Sequence, residues 1–355
     1  MSQFHESVVA VRVDSSEQIG SGHLMRCLTL AERMREKGKK VHFICRALPG
    51  NLAALVKQRE FSLHLLPYEG EDGSLTGYAA WLAVPMEIDA AETHEVLQRI
   101  APVECLVVDH YGLDCGWEQR LRPLVKEIFV IDDLANRSHD CDILLDQNFY
   151  RDREKRYIGL VPKACRLFLG PQHALLRQEF YQAQANLRQR DGKLRRILVF
   201  YGGSDQTGET EKAITALLKL HLPAVHVDVI VGGSNARSET IRALCEKNKG
   251  FQYHFQVTNI AELMALADLS LGAGGTTTWE RCFLGLPAIV TAIADNQLEL
   301  CQDCAEAGLI HYLGKWNEVS AEDVAREVAS LLQPQKLQEF QKACWVTNAK
   351  ISEIP

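Results

Sequence analysis

Apolar residues follow two alternating rhythms along this chain. Short continuous runs of Val, Ile and Leu are separated by longer stretches in which apolar residues return every three or four positions. The first run, residues 8–13, leads through a Gly-rich turn to Leu24, Cys27, Leu28, Ala31 and Met34 at helical spacing, which predicts a strand, a tight turn and an amphipathic helix. Further strands are predicted at 41–47, 61–66, 105–109 and 128–131, with helices at 90–100 and 117–126 between them. After a charged, polar helix over 178–196 the pattern restarts. Strands at 197–201, 226–231, 251–255, 268–271 and 288–292 alternate with helices at 209–220, 240–248, 260–267 and 277–284. Strands apolar throughout their length, alternating with helices, imply parallel sheets covered on both faces.

The restart, in a chain of 355 residues, indicates two domains, since one core seldom keeps growing at that length. The fold class is α/β, with two Rossmann-like domains. Their boundary falls between 151 and 194 and is set at 180, giving an N-terminal domain over 1–180 and a C-terminal domain over 181–355. Two consecutive doubly wound units best match a glycosyltransferase-B-type architecture with an interdomain cleft at the carboxyl ends of the two sheets, where such folds take ligands. A last helical stretch at 337–346 is expected to pack back on the first domain.

Composition narrows the partners. The formal net charge of −7, from 39 Lys and Arg against 46 Asp and Glu, leaves no basic field for a nucleic acid. Small anions stay possible, because loop amides and helix N-termini bind phosphate without excess basic residues. No apolar run reaches membrane-spanning length, and the first eight residues lack a secretory pattern. The expectation is a cytoplasmic monomer with a small-molecule substrate and neither nucleic-acid nor membrane partner. The 11 cysteines read as free thiols of a reducing compartment. Cys301-x-x-Cys304 lacks the second pair a zinc site needs.

Two Gly-rich turns carry the candidate chemistry. Gly20-Ser21-Gly22-His23 joins the first strand to the first helix, where glycines allow close approach and first-turn amides are unpaired. Its spacing is not that of a dinucleotide fold, and Cys45-Arg46 stands where an acidic ribose ligand would be, so NAD is disfavoured. His23 lies in the first helical turn, where the helix dipole favours the neutral ring a general base requires. Gly272-Ala273-Gly274-Gly275-Thr276-Thr277-Thr278-Trp279-Glu280 repeats the strand-to-helix setting in the second domain. It offers amides and hydroxyls to a diphosphate and the Glu280 carboxylate to a ribose diol.

Gly202-Gly203-Ser204-Asp205, Asp295-Asn296-Gln297 and Asp109-His110-Tyr111-Gly112 each follow a predicted strand and should face the cleft, with Tyr111 the expected sugar contact. Asp132-Asp133 ends another strand. Asp140-Cys141-Asp142 has the D-x-D form of metal-dependent enzymes, but the phosphates are already served by helix N-termini, so no metal and no cofactor is expected.

At these residues the chain resembles the UDP-2,4-diacetamido-2,4,6-trideoxy-β-L-altropyranose hydrolases of pseudaminic acid biosynthesis. The resemblance covers about residues 8–312. It is carried by Arg12-Val13-Asp14-Ser15, residues 19–26, Asp109-His110-Tyr111-Gly112, Cys141-Asp142-Ile143-Leu144-Leu145, Ala174-Leu175-Leu176-Arg177-Gln178-Glu179-Phe180, Gly202-Gly203-Ser204-Asp205, residues 272–280 and Asp295-Asn296-Gln297. It implies a glycosyltransferase-B-like fold, a metal-free reaction, inversion at the anomeric carbon and a place in the route to flagellin glycosylation. It also implies His23 as the base, with Tyr111, Asn296 and Glu280 in the family's matching positions. Arg12, Asp14, Gly20, Ser21, Gly22, Tyr111, Asn296 and Gln297 are then expected on the sugar. Gly202, Gly203, Gly274, Gly275, Thr276, Thr277 and Glu280 are expected on UDP. The three consecutive threonines depart from the family pattern, and the chain beyond about 316 carries no motif to transfer.

A diphosphate is already a good leaving group, so one base without a paired carboxylic acid is chemically sufficient. Two other readings stay open. A glycosyltransferase of the same fold would put an acceptor hydroxyl where water stands, and a non-catalytic UDP-sugar sensor would keep Glu280 and the glycines without needing His23.

Overall fold

The computed structural model describes residues 7–70 and 72–343, and the chain divides into two units. In the first unit, strands β1 (Val8–Val13), β2 (Lys40–Arg46), β3 (Ser62–Leu66), β4 (Val103–Asp109), β5 (Val125–Ile131), β6 (Ile143–Asp146) and β7 (Arg166–Leu169) form one sheet in the order β3-β2-β1-β4-β5-β6-β7. All of its pairings are parallel. Side chains alternate across it. Val9, Val11 and Val13 join Leu24, Leu28 and Phe43 on one face, while Ala10, Leu106 and Val108 join Leu97 and Trp117 on the other. Both faces are buried, so these strands carry almost no polar residues until they end.

The second unit repeats the plan with β8 (Arg196–Phe200), β9 (His226–Val231), β10 (Phe251–Phe255), β11 (Leu269–Ala273), β12 (Ala288–Ala292) and β13 (His311–Lys315), in the order β10-β9-β8-β11-β12-β13. These pairings too are parallel. In each sheet the strand order reverses once, between β1 and β4 and between β8 and β11. There successive connections leave in opposite directions and open a crevice at the carboxyl ends, the position at which doubly wound folds take ligands. Val13 lies opposite Asp109 in register and Gly272 opposite Phe200, so the Gly-rich turns and polar strand ends of the sequence sit at these reversals. No helix among the described residues is long and apolar enough to cross a membrane.

Several element boundaries differ from the sequence reading, each for a physical reason. The helix expected over 117–126 is Cys115–Leu121, followed by a 3-10 turn Arg122–Leu124 that contains Pro123, a residue that cannot continue a helix. The polar helix expected over 178–196 stops at Ala185. Beyond it, the Arg190 guanidinium donates to the carbonyls of Met264, Ala267 and Leu284, closing the ends of helices Ile260–Leu266 and Thr277–Phe283. A helical backbone here would withdraw those caps.

Asp152–Leu175 belong to the first unit, whereas Phe149–Arg151 and the chain from Leu176 belong to the second, where helix Gln178–Ala185 buries Phe180 and sets Tyr181 edge-on to Phe283, 4.9 Å between centroids. The last described helix, Pro334–Ala343, fills the second unit's own core with Leu337 and Phe340. Of the helical stretch expected over 337–346, residues 344–346 lie outside the described residues. The ten described cysteines are free and eight are buried.

Candidate functional site

The first switch point assembles around His23. Helix Gly22–Glu36 begins just after the Gly20 turn, where Gly20 takes φ +77 and bonds back to the Ser16 carbonyl. Ser21 stands at the N-cap without a side-chain bond, and the first turn holds no acidic residue. The opening amides of this fifteen-residue helix are thus uncapped and suited to an anion. His23 and Arg26, three residues apart, lie on one face. Both reach Asp109 at the end of β4: His23 Nδ1 is 2.6 Å from Oδ1, while Arg26 donates through Nε to Oδ2 and through Nη2 to Oδ1, each at 2.6 Å.

Burial alone would raise the Asp109 carboxyl, but the charge of Arg26 and the hydrogen bonds from Arg26 and His23 outweigh it and hold the group well below the usual carboxylate range. An ionised carboxylate only accepts hydrogen bonds, so Nδ1 of His23 carries the proton. In the neutral ring, Nε2 is then left with its lone pair. The arrangement fixes one tautomer and one ring orientation, and it places a carboxylate to stabilise the imidazolium formed when Nε2 takes a proton.

Rings enclose the histidine. Tyr111 meets it edge-on at 4.6 Å between centroids, Trp81 at 6.1 Å, and Trp81 stacks on Tyr111 at 5.4 Å with Tyr78 beside them. Tyr111 is buried and its hydroxyl donates to Asp133 Oδ1. Burial first, and then Asp133, push that phenol up, so Tyr111 presents its ring rather than its hydroxyl. Arg26 Nη1 also binds Asp133, at 3.0 Å. Tyr78 and Trp81 escaped the sequence reading because their 3-10 segment, Gly77–Leu82, has neither helical nor strand periodicity.

Other expected residues have structural duties. Arg12 and Asp14, expected on the sugar, are completely buried and pair at 2.6 Å. Arg12 also grips Asp89, and Asp14 accepts the Arg46 amide. Their polar atoms are turned into the protein because helix Met86–Ile100 covers this strand end. His110 is likewise internal: its Nδ1 accepts the Gly112 amide, so Nε2 carries the proton toward Asp14, 3.5 Å away. Asp140 and Asp142 are clamped by Arg122 at the amino end of β6, the sheet edge opposite His23.

Burial pushes the His110 imidazole down to about 4 against the opposing charge of Asp14. Its folded value lies below the unfolded value of about 6.5, so between the two the unfolded chain binds the extra proton. The stability His110 contributes is complete above about pH 6.5 and is lost as pH falls toward 4, on the order of 3 kcal/mol. Urea midpoints measured across that interval should fall more steeply for the wild type than for His110→Gln.

In the second unit, Gly202 takes φ +91 and Gly232 lies against Gly203 so closely that a methyl on it would be 2.3 Å from the Gly203 carbonyl. Asp205 caps helix Glu209–Lys219, accepting the amides of Glu209 and Thr210. The second Gly-rich turn is backed by packing: a Cβ on Gly274 would lie 2.1 Å from the Cys301 sulfur. Gly274→Ala should therefore cost about 1–3 kcal/mol by overpacking. Thermal melts would show it, and adding Cys301→Ala should recover most of the loss.

Gly275, Thr276 and Thr277 are partly exposed, and the two threonine hydroxyls make no hydrogen bond within the described residues. Glu280 binds Arg177 through Oε1 at 2.8 Å, leaving Oε2 without a partner among the described residues. Gln297 accepts the Ile293 amide and lies beside Gly275, while Asn296 is half-buried and its side chain is unbonded among the described residues.

Residues 197–353 match the glycosyltransferase family 28 C-terminal domain. The chain is 28% identical over 260 residues to the UDP-2,4-diacetamido-2,4,6-trideoxy-beta-L-altropyranose hydrolase of Campylobacter jejuni, covering 72% of this chain and 81% of that one. It is 22% identical over 304 residues to the uncharacterized protein MJ1062 of Methanocaldococcus jannaschii, covering 83% of this chain but only 57% of the archaeal protein. Among solved structures, UGT2 of Phytolacca americana, complexed with UDP-2fluoro-glucose and pterostilbene, superposes with a TM-score of 0.66 at 11% identity, over 95% of this chain and 93% of that one. The architecture is of the glycosyltransferase-B type: two α/β units with wholly parallel sheets.

Proposed function

We propose that this chain processes a UDP-linked sugar, and that it does so by hydrolysis: water attacks the anomeric carbon of a UDP-2,4-diacetamido-2,4,6-trideoxy-β-L-altropyranose, releasing UDP and the free sugar with inversion. One observation carries the reading: the 2.6 Å contact of His23 Nδ1 with Asp109, which leaves Nε2 as a base of fixed orientation. The Campylobacter relative supplies the substrate class.

In the proposed mechanism Nε2 takes a proton from water as oxygen attacks C1 on the face opposite the leaving UDP, and the new imidazolium is balanced by Asp109. The diphosphate leaves without a proton, stabilised by the amides of residues 274–277 and the hydroxyls of Thr276 and Thr277, and further anion contacts come from Gly202 and Gly203. The unpartnered Oε2 of Glu280 accepts from the ribose. Rings at Trp81 and Tyr111 give an apolar wall suited to deoxy and acetyl methyl groups. No step calls for a metal, and Asp140 and Asp142 are committed to Arg122. Activity should persist in EDTA; a strict magnesium or manganese requirement in UDP-release assays would contradict this.

The match to a glycosyltransferase domain favours one second reading, in which an acceptor hydroxyl replaces water at the same base. Purified protein given a panel of UDP-diacetamido sugars and no acceptor separates the two. UDP should appear together with free sugar of inverted anomeric configuration by NMR. Release that waits for an added alcohol or glycan would establish the transferase instead.

A further inference from the structure

Within the second unit, Arg281 is a cation without a counter-charge. It is 1% exposed, yet it forms no ion pair among the described residues. Its Nη2 donates to the Ala273 carbonyl at 2.7 Å and to Thr278 Oγ1 at 3.1 Å, and its Nε has no partner. The guanidinium lies close against the end of β11, where a methyl added to Gly272 would be 2.4 Å from Nη1. Apart from Glu280, which acts on it without forming an ion pair, the titratable groups around it are neutral. Burial pushes the Cys282 and Cys301 thiols up to about 12 and raises the Tyr201 phenol. The adjacent Glu280 carboxylate is bonded to Arg177.

Such a charge is costly, because no ion pair among the described residues repays its lost hydration, and burial lowers the guanidinium from its ordinary value despite the Glu280 carboxylate. An apolar or neutral side chain of similar volume would fill the space at lower cost. The bonds to Ala273 and Thr278 tie the charge to both ends of turn 273–278, whose other side is partly exposed at Gly275, Thr276 and Thr277.

We propose that Arg281 is an electrostatic positioning residue for an anionic ligand of turn 273–278: it does not touch the ligand, but shapes the turn and supplies through it the positive charge that a diphosphate completes. This rests on the reading that UDP binds at this turn. A buried charge acts through protein at a low effective dielectric and is poorly screened by salt. Its contribution therefore grows with ligand charge and survives moderate ionic strength.

The test is the affinity of the full-length protein for uridine, UMP and UDP, with thermal stability read in parallel, for wild type, Arg281→Met and Arg281→Lys. Arg281→Met should weaken UDP about tenfold or more, UMP less and uridine least, while the ligand-free melting temperature holds or rises. Arg281→Lys keeps the charge and should retain most of the UDP affinity, which also covers the case in which the methionine variant does not fold. Equal losses for all three ligands, or a lysine variant as weak as methionine, would reduce Arg281 to a packing role and overturn the proposal. Should the wild type bind UDP and Arg281→Met bind it equally well, this inference alone fails. If the wild type binds no UDP, the underlying reading fails with it.

Discussion

His23→Ala is expected to slow UDP release by about 10²- to 10⁴-fold, the usual worth of a positioned general base, while UDP itself binds as before. The substitution is structurally mild because Asp109 keeps both bonds from Arg26, so no buried carboxylate is left uncompensated. The loss should thus appear in kcat, with little change in melting temperature. Asp109→Asn should be worse for the fold and no better for the rate. Its amide cannot balance Arg26 or the imidazolium, and it no longer forces the proton onto Nδ1. Imidazole added to His23→Ala should restore part of the rate by occupying the vacated space. A purified His23→Ala protein that frees UDP at the wild-type rate would remove the base from the mechanism.

What the sequence disclosed follows from how burial writes itself into a chain. β1, β4, β5 and β8 are covered on both faces, so each contains an unbroken apolar run. β7 and β13 lie at sheet edges with half-exposed residues such as Leu167 and Tyr312, and β6 is only four residues long, so none of the three has a run to recognise. At the site, the Gly-rich turn with His23 and the abrupt polarity after Val108 are each visible locally. Their union is not, because it depends on β1 lying next to β4, 86 residues apart for the His23–Asp109 pair, and no local pattern specifies strand order. Arg12 and Asp14 show a related limit: in sequence a polar strand end looks the same whether it meets solvent or, as here, a carboxylate brought in by helix Met86–Ile100.

That carboxylate, Asp89, is a fully buried charge shared by several donors. Asp89 accepts from Arg12 Nε and Nη2, from Arg46 Nη2 at 2.8 Å and from Trp117 Nε1 at 3.0 Å, with no exposure to solvent. Burial would raise its carboxyl, but Arg12 and Arg46 hold it well below the usual range. Asp89→Ala strips one anion from two buried guanidinium groups and should cost about 3–5 kcal/mol, a large part of the 5–15 kcal/mol that typically holds a domain together. The linkage with pH has a definite sign. The folded value lies below the unfolded value of about 3.9, so the stabilisation is complete above that pH and lost as pH falls below it.

Arg12 would retain Asp14 and Arg46 would retain Glu92, so partial folding at low temperature is expected rather than collapse. Removing Arg12 as well, as Arg12→Met with Asp89→Leu, should cost more than Asp89→Ala alone, because it also strands the buried Asp14 carboxylate that Arg12 pairs. Urea melts of the three proteins at neutral pH decide the matter. If Asp89→Ala lay within about 1 kcal/mol of the wild type, as exposed ion pairs do, the network would be ornamental, and Arg12 and Asp14 would again be free to serve a ligand.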